Sequence, residues 1–209
     1  MKILAISGSP RAKGNTNLLL ETMFAEFEKQ GFECELVNVG VKPVRGCMAC
    51  YKCREMQNRQ CIIKDDIVNS VVQKMIEADG IILASPVYYA GMSGELKSFI
   101  DRAFFVCGAN GALLKYKVGA SLAVARRAGS VATLDSLNHY FLISGMSVVG
   151  STYWPMGFGF EKGETWQDLE GVETAKNMAI NMAWVIKALD AEKATRPVIV
   201  KNDWTNFIR

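Results

Sequence analysis

Apolar positions along the chain fall into short runs and helical spacings that alternate. Lys2 to Ser7 (KILAIS) is a brief apolar run suited to a buried strand. Asn15 to Gln30 then sets Leu19, Leu20, Met23 and Phe27 at helical spacing until Gly31 stops it. Glu33 to Val39 alternates as a half-buried strand does, and beyond a Cys-rich insert Asp65-Asp66 can cap a helix carrying Ile67, Val71, Val72, Met75 and Ile76. Gly80 to Ser85 (GIILAS) predicts a third strand, followed by Leu96, Phe99, Ile100 and Ala103 on one helical face. Lys117 to Ala125 predicts a fourth, with a helix over Ser130 to Ser144 bearing Leu134, Leu137 and Phe141. Ser147 to Tyr153 is expected as a fifth strand. A loop from Trp154 to Gly171 then leads to a last helix with Met178, Met182, Val185, Ile186 and Leu189. Strand and helix alternating five times imply a parallel sheet with helices on both faces, an α/β doubly wound fold in three layers.

Composition narrows the picture. At about 150 residues per domain, the 209 residues make one domain. It is expected over 1–191, with the Cys-rich insert at 46–64 and a C-terminal tail at 192–209. The tail carries Pro197 to Val200, Trp204, Phe207 and Ile208, which a partner subunit could cover or which could fold back on their own domain. Half the residues are hydrophobic and 22% are charged, enough apolar matter for a substantial core. A formal charge of +3 supplies no basic stripe for nucleic acid. No apolar run reaches the length of a bilayer span, and the first strand is too short for a secretory signal core, so no membrane partner and a cytoplasmic location are expected. There, six cysteines are not expected to form a disulfide framework.

In a doubly wound sheet ligands sit beyond the carboxyl ends of the strands, where the strand order reverses. The loops to inspect therefore follow Ser7, Ser85 and Ala125. The first runs Ser7-Gly8-Ser9-Pro10-Arg11-Ala12-Lys13-Gly14-Asn15-Thr16, without the P-loop ending and without G-x-G-x-x-G. Its hydroxyls, arginine and helix N-terminal N–H groups make a seat for a terminal phosphate, or simply a Ser/Asn-rich helix cap. The second, Ser85-Pro86-Val87-Tyr88-Tyr89-Ala90-Gly91-Met92-Ser93, sets two aromatic residues in a turn where main-chain groups can approach a planar heterocycle. That suits a flavin ring, with a purely structural Tyr-Tyr turn as the alternative.

The segments S-G-S-P-R-x-x-G-N-T and, after the third strand, S-P-V-Y-Y-A-G-M-S-G-E-L-K-x-F-I-D-R together resemble the NAD(P)H-dependent FMN reductase branch of the flavodoxin-like superfamily. The likeness spans Met1 to about Leu189. It implies a flavodoxin-like five-stranded sheet that binds FMN, with Ser7, Ser9, Arg11, Asn15 and Thr16 about the phosphate. It also implies Pro86, Val87, Tyr88, Tyr89 and Gly91 about the isoalloxazine. The third loop, Ala125-Arg126-Arg127-Ala128-Gly129-Ser130, matches the family's remaining ring-contacting segment in place, which adds Ala125, Arg126, Arg127 and Gly129, though many members carry more glycine there. Arg126 or Arg127 near the ring would favour its anionic reduced form; otherwise the two are a solvated pair. Trp154 to Gly163 resembles a family segment that could border the flavin of a neighbouring subunit, or it is a packed surface loop. His139, the one histidine, lies away from all three loops.

Cys47, Cys50, Cys53 and Cys61 form C-x2-C-x2-C-x7-C. Three thiolates spaced three apart can each reach a different iron of one cuboidal cluster, with the fourth arriving from a longer loop. Structural zinc more often takes two separated pairs. The spacing resembles that of the iron-sulfur flavoproteins of the same superfamily and implies a 4Fe–4S cluster, with zinc or free thiols as alternatives. Cys34 and Cys107 are isolated and expected to be buried apolar residues.

The resemblance implies an oxidoreductase passing electrons from NAD(P)H or a reduced carrier to a small acceptor such as a quinone or free flavin. Homodimers or homotetramers are implied in the same way. No nicotinamide fingerprint is visible, so pyridine nucleotide use rests on likeness alone. Two other classes share the same motifs in whole or part: an electron carrier fed by ferredoxin, and a non-catalytic, metal-stapled interaction domain.

Overall fold

The computed structural model describes residues 1–200 together with Asp203 and Thr205. Among these residues six strands and six α-helices alternate broadly as expected: β1 (Lys2–Ser7), α1 (Asn15–Lys29), β2 (Glu33–Asn38), α2 (Lys52–Met56), α3 (Val68–Glu77), β3 (Gly80–Pro86), α4 (Gly94–Ala109), β4 (Val118–Ala125), α5 (Ser130–Ile143), β5 (Ser147–Val148), β6 (Met156–Phe158) and α6 (Leu169–Ala191), with α2 and β6 added to the expected set. The sheet is parallel throughout, in the order β2-β1-β3-β4-β5 with β6 also on β4. This is the doubly wound α/β fold in three layers.

Alternation along the strands explains the layers. On β1, Ile3 and Ala5 join the core beneath α1 and α6, while Leu4 and Ile6 join the core beneath α3, α4 and α5. On β3, Ile82 and Ala84 face the first side, Ile81 and Leu83 the second. Successive side chains of a strand point to opposite faces, and a strand covered on both sides is apolar at every position.

The fifth strand differs from expectation. It does not run from Ser147 to Tyr153 but ends at Val148. The chain then leaves the sheet and returns as β6 against the other end of β4, so two short strands share one edge position. Polar contacts to α6 draw the intervening turn outward: Ser151 Oγ donates to the Thr174 carbonyl at 2.6 Å, and Asn181 donates to the Gly150 carbonyl at 3.2 Å. The tail also resolves in part. The Tyr116 hydroxyl donates to the Pro197 carbonyl and Arg196 lies over the Tyr116 ring, which holds the start of the tail against its own domain. Val198, Ile199 and Val200 beyond are exposed, and Trp204, Phe207 and Ile208 fall outside the described residues. Among the described residues no helix is long and apolar enough to cross a membrane.

On its α5 side β4 presents only small residues, because the helix packs close. A Cβ on Gly119 would stand 2.6 Å from the Phe141 ring. Gly119→Ala is therefore expected to destabilise the fold by about 1–3 kcal/mol through overpacking, read as a lowered urea midpoint with unchanged slope; a midpoint equal to wild type would contradict this packing.

Candidate functional site

Three turns meet at the carboxyl end of β1, β3 and β4. The first is tied from within. Ser7 Oγ donates to Asn17 Oδ1 at 2.5 Å and accepts from the Ser9 N–H at 3.2 Å. Asn17 Nδ2 donates to the Ala12 carbonyl at 2.9 Å, and Ser9 Oγ both accepts from the Arg11 N–H and donates to the Arg11 carbonyl. These bonds curl the loop over the start of α1, whose N-cap residue Gly14 provides no side-chain cap. The first N–H groups of a helix lack intrahelical partners and carry partial positive charge, so an uncapped start facing a cavity suits an anion.

The turn after β3 is pinned beside it. Ser93 Oγ donates to the Gly8 carbonyl at 2.8 Å, and the Ser93 N–H donates to Ser85 Oγ at 2.9 Å. Tyr88 and Gly91 exchange backbone bonds across a two-residue turn whose corners, Tyr89 and Ala90, both have positive φ, 48° and 58°. Such turns favour Asn-Gly, so two residues with side chains here store strain. Gly129, at φ +91°, closes the third turn onto Val87 and Ala90.

Between the turns lies a cavity of about 260 Å³ lined by Ser9, Pro10, Arg11, Gly14, Asn15, Thr16, Pro86, Val87, Tyr88, Val124, Arg126, Gly159, Phe160 and Lys162. Three cations and no acid line it, so its field favours a negatively charged ligand. Ser9, Arg11, Asn15, Thr16, Pro86, Val87, Tyr88 and Arg126 of the expected set meet here. The others lie apart: Ser7 is buried beneath the loop, Tyr89 is fully exposed at the turn tip, Gly91 and Gly129 brace the walls, and Ala125 and Arg127 flank the cavity without lining it. Asn15 has a second task, because its Nδ2 donates to the Glu161 carbonyl at 2.9 Å and its Oδ1 accepts from the Gly163 N–H at 2.8 Å.

That pairing brings in the segment for which the sequence left open a border on a neighbouring subunit's flavin or a packed surface loop. Gly159, Phe160 and Lys162 line the cavity of their own chain, and Arg126 stacks over Phe160 at 5.8 Å. Asn17 was missed as well. The only signal for it was an amide two residues past Asn15, a spacing that points back into a preceding loop once α1 forms.

A second site lies in the insert. Cys47, Cys50, Cys53 and Cys61 line one small recess with Met48, Tyr51, Ile62, Ile63, Arg102, Phe105 and Val106. Positive φ at Ala49 and Tyr51 wraps the backbone, and the Ala49 N–H donates to Cys47 Sγ at 3.4 Å. Asn110 and Asn69 strap the insert down by bonds to Cys53 and Cys61 main-chain groups. Burial raises the pKa of the Cys53 thiol, the Arg54 N–H partly offsets this, and Cys61 and Cys50 act in the same direction as burial. Among the described residues no three Cys, His, Asp or Glu side chains are gathered tightly enough to hold a single metal ion. Four thiols converging on one recess are a donor set of the kind an iron-sulfur cluster or a zinc ion takes. Cys34 and Cys107 stay apart from the recess, their thiols pushed up by burial to about 11 and about 12.

Comparison with known proteins agrees with this layout. A sequence model described as NADPH-dependent FMN reductase matches residues 1–161. The chain is 38% identical over 196 residues to an iron-sulfur flavoprotein of Methanocaldococcus jannaschii, covering 90% of this chain and 99% of the relative. It is 34% identical over 195 residues to an iron-sulfur flavoprotein of Methanosarcina thermophila, covering 92% and 99%. Among solved structures, RosB superposes with a TM-score of 0.71 at 18% identity, covering 100% of this chain and 94% of that one. The apo form of the NADH:FMN oxidoreductase EMOB gives 0.61 at 23% identity, covering 93% of each. The two structural likenesses speak for the fold, and the sequence matches for descent. With the cavity at the switch point of a flavodoxin-like sheet, they show that the chain belongs to the NADPH-dependent FMN reductase family of FMN-binding oxidoreductases.

Proposed function

We propose that the chain holds FMN in the cavity between its three turns and passes electrons from NAD(P)H or a reduced carrier to a small acceptor such as a quinone or free flavin, with an iron-sulfur cluster in the cysteine recess. The observation that carries this reading is the uncapped start of α1 set among Arg11, Arg126 and Lys162 with no acid in the lining. Bound flavin would supply two-electron acceptance from hydride and one-electron delivery. The protein's own share is placement. Ser9, Arg11, Thr16 and the α1 N–H groups would take the phosphate; Pro86, Val87 and Tyr88 would wall the ring; Arg126 would place positive charge beside it. The four thiols fit a cluster by their shared recess, and the names of the two relatives above support the same assignment. Exposed Val198, Ile199 and Val200 support assembly into homodimers or homotetramers.

A second reading is favoured by charge. Residues 41–66 carry six Lys or Arg and three Asp or Glu, so the whole net charge of +3 sits on the insert, leaving 18 of each sign elsewhere. Met48, Tyr51, Met56 and Ile62 are exposed within this basic collar. That surface supports an acidic electron donor such as ferredoxin, steered by field and docked through an apolar centre.

Anaerobically purified protein is expected to be yellow and to contain iron and sulfide but no stoichiometric zinc; colourless protein that stays so after soaking with FMN would overturn the flavin reading. Cys50→Ala is expected to lose iron and keep FMN, and loss of both would show that the insert also builds the flavin site. Replacing Arg11 by Gln removes a charge-assisted hydrogen bond worth about 1.5–3 kcal/mol, so FMN affinity should fall by about 10- to 150-fold in a fluorescence titration. In stopped-flow flavin bleaching, reduction by ferredoxin should slow as salt rises and slow further in Lys52→Glu/Arg59→Glu, while reduction by NAD(P)H, an anion drawn to the flavin cavity itself, should be unaffected by the two substitutions. Equal effects of the substitutions on the two donors would remove the second reading.

A further inference from the structure

We propose that Arg102 sets the reduction potential of the group held by the four cysteines, by donating its Nε–H to a sulfur in the recess. This rests on the iron-sulfur reading of the cysteines given above. Arg102 is 1% exposed, the largest fully buried side chain among the described residues, and it lines the recess with all four thiols. A guanidinium has five N–H donors in a fixed plane and must place each of them when buried. Nη1 donates to the Arg45 carbonyl at 3.1 Å and to Asp66, and Nη2 donates to the Ile63 carbonyl and to Asp66 Oδ1, both at 3.3 Å. The carboxylate thus grips the guanidinium at its Nη end and leaves the Nε edge free, and Nε has no partner.

The chemistry of the recess decides what that partner is. Beside Arg102 itself, its lining is four thiols, the Met48 thioether and aliphatic and aromatic side chains, of which only Tyr51, 52% exposed, carries an oxygen acceptor. Sulfur is therefore the acceptor at hand, and Cys61 is the thiol nearest the guanidinium in electrostatic effect. The step that Arg102 biases is the arrival of one electron at the four-cysteine group from the reduced flavin or a reduced carrier, with no bond made or broken and no proton moved. That electron adds negative charge. A fixed N–H donor with positive charge behind it stabilises the reduced state, and Asp66 works against it from the far side; hydrogen bonds to sulfur and net charge are the main levers on such potentials.

The test is an EPR-monitored redox titration of the intact, anaerobically prepared protein and of R102Q, R102K and D66N, with iron, sulfide and FMN counted in each. R102Q should disfavour one-electron reduction about tenfold, a fall of about 59 mV for a one-electron couple; R102K should recover part of that loss; and D66N should shift the midpoint upward. The flavin midpoint should stay put in all three. A merely structural Arg102 would move neither midpoint, or would move R102Q and D66N in the same direction, and either result overturns the inference. Should R102Q fail to take up iron, D66N decides: an upward shift supports the assignment and an unchanged midpoint overturns it. Wild-type protein that holds no iron and sulfide overturns the reading of the cysteines together with this inference, whereas a wild-type cluster indifferent to both residues overturns this inference alone.

Discussion

The backbone of the first turn is pressed against the turn after β3 so closely that no side chain fits between them. Gly8 donates its N–H to the Ala84 carbonyl at 2.8 Å and accepts the Ser93 hydroxyl at 2.8 Å, and a Cβ on Gly8 would lie 2.4 Å from that hydroxyl oxygen. This contact brings the positive end of α1 beside Pro86, Val87 and Tyr88, two elements far apart in sequence but adjacent where the strand order reverses. A phosphate seat and an aromatic wall become one cavity for that reason. The rest of the site is arranged around it, with Asn17 holding the loop from inside and Asn15 reaching outward to fix residues 159–163.

Strain and field are concentrated at the same edge. Left-handed backbone at non-glycine residues costs on the order of 1–3 kcal/mol each, yet Tyr89 and Ala90 both adopt it at the rim of the cavity. The surrounding turns over-determine that conformation, since Gly129 packs directly on Ala90 and Val87. The buried Arg102–Asp66 pair plays a comparable part at the insert. Ion pairs taken out of water recover their desolvation only with further hydrogen bonds, and here Arg45, Ile63 and Asp66 take the Nη groups of one guanidinium and leave its Nε unmatched. The pair thereby joins the scaffold to an insert that carries an excess of positive charge.

Most of the fold was legible in the pattern of apolar residues because strands buried on both faces, such as KILAIS and GIILAS, cannot be mistaken for amphipathic surface. The boundaries of β1, α1 and α5 fell close to expectation for the same reason. The edge did not. Ser147 to Tyr153 is apolar enough for one strand, but edge pairing depends on which groups compete for its backbone, and Ser151 and Gly150 bond to α6 instead. Helix α2 also escaped notice, since five residues between cysteines carry no periodicity. Of the cavity, the phosphate loop and the Pro86–Tyr88 wall were readable from residue type and place in the fold, and the likeness in motif carried the same residues. Gly159, Phe160 and Lys162 were recognised as part of a segment whose place, beside a neighbouring subunit's flavin or in a surface loop, stayed open, because nothing local shows that Asn15 reaches 146 residues along to the Glu161 carbonyl.

The amino-acid order alone determined the alternation of strands and helices, the three loops that carry chemistry, and the cysteine spacing, because each rests on interactions between residues within a few positions of one another. Tertiary structure decided which of those residues share a cavity, that Asn15 and Asn17 act as braces, that Gly159, Phe160 and Lys162 line the cavity of their own domain, and that Arg102 is buried beside the four cysteines with its Nε unmatched. These outcomes depend on distances between segments scores of residues apart, and such distances exist only once the sheet has closed its register and the helices have packed.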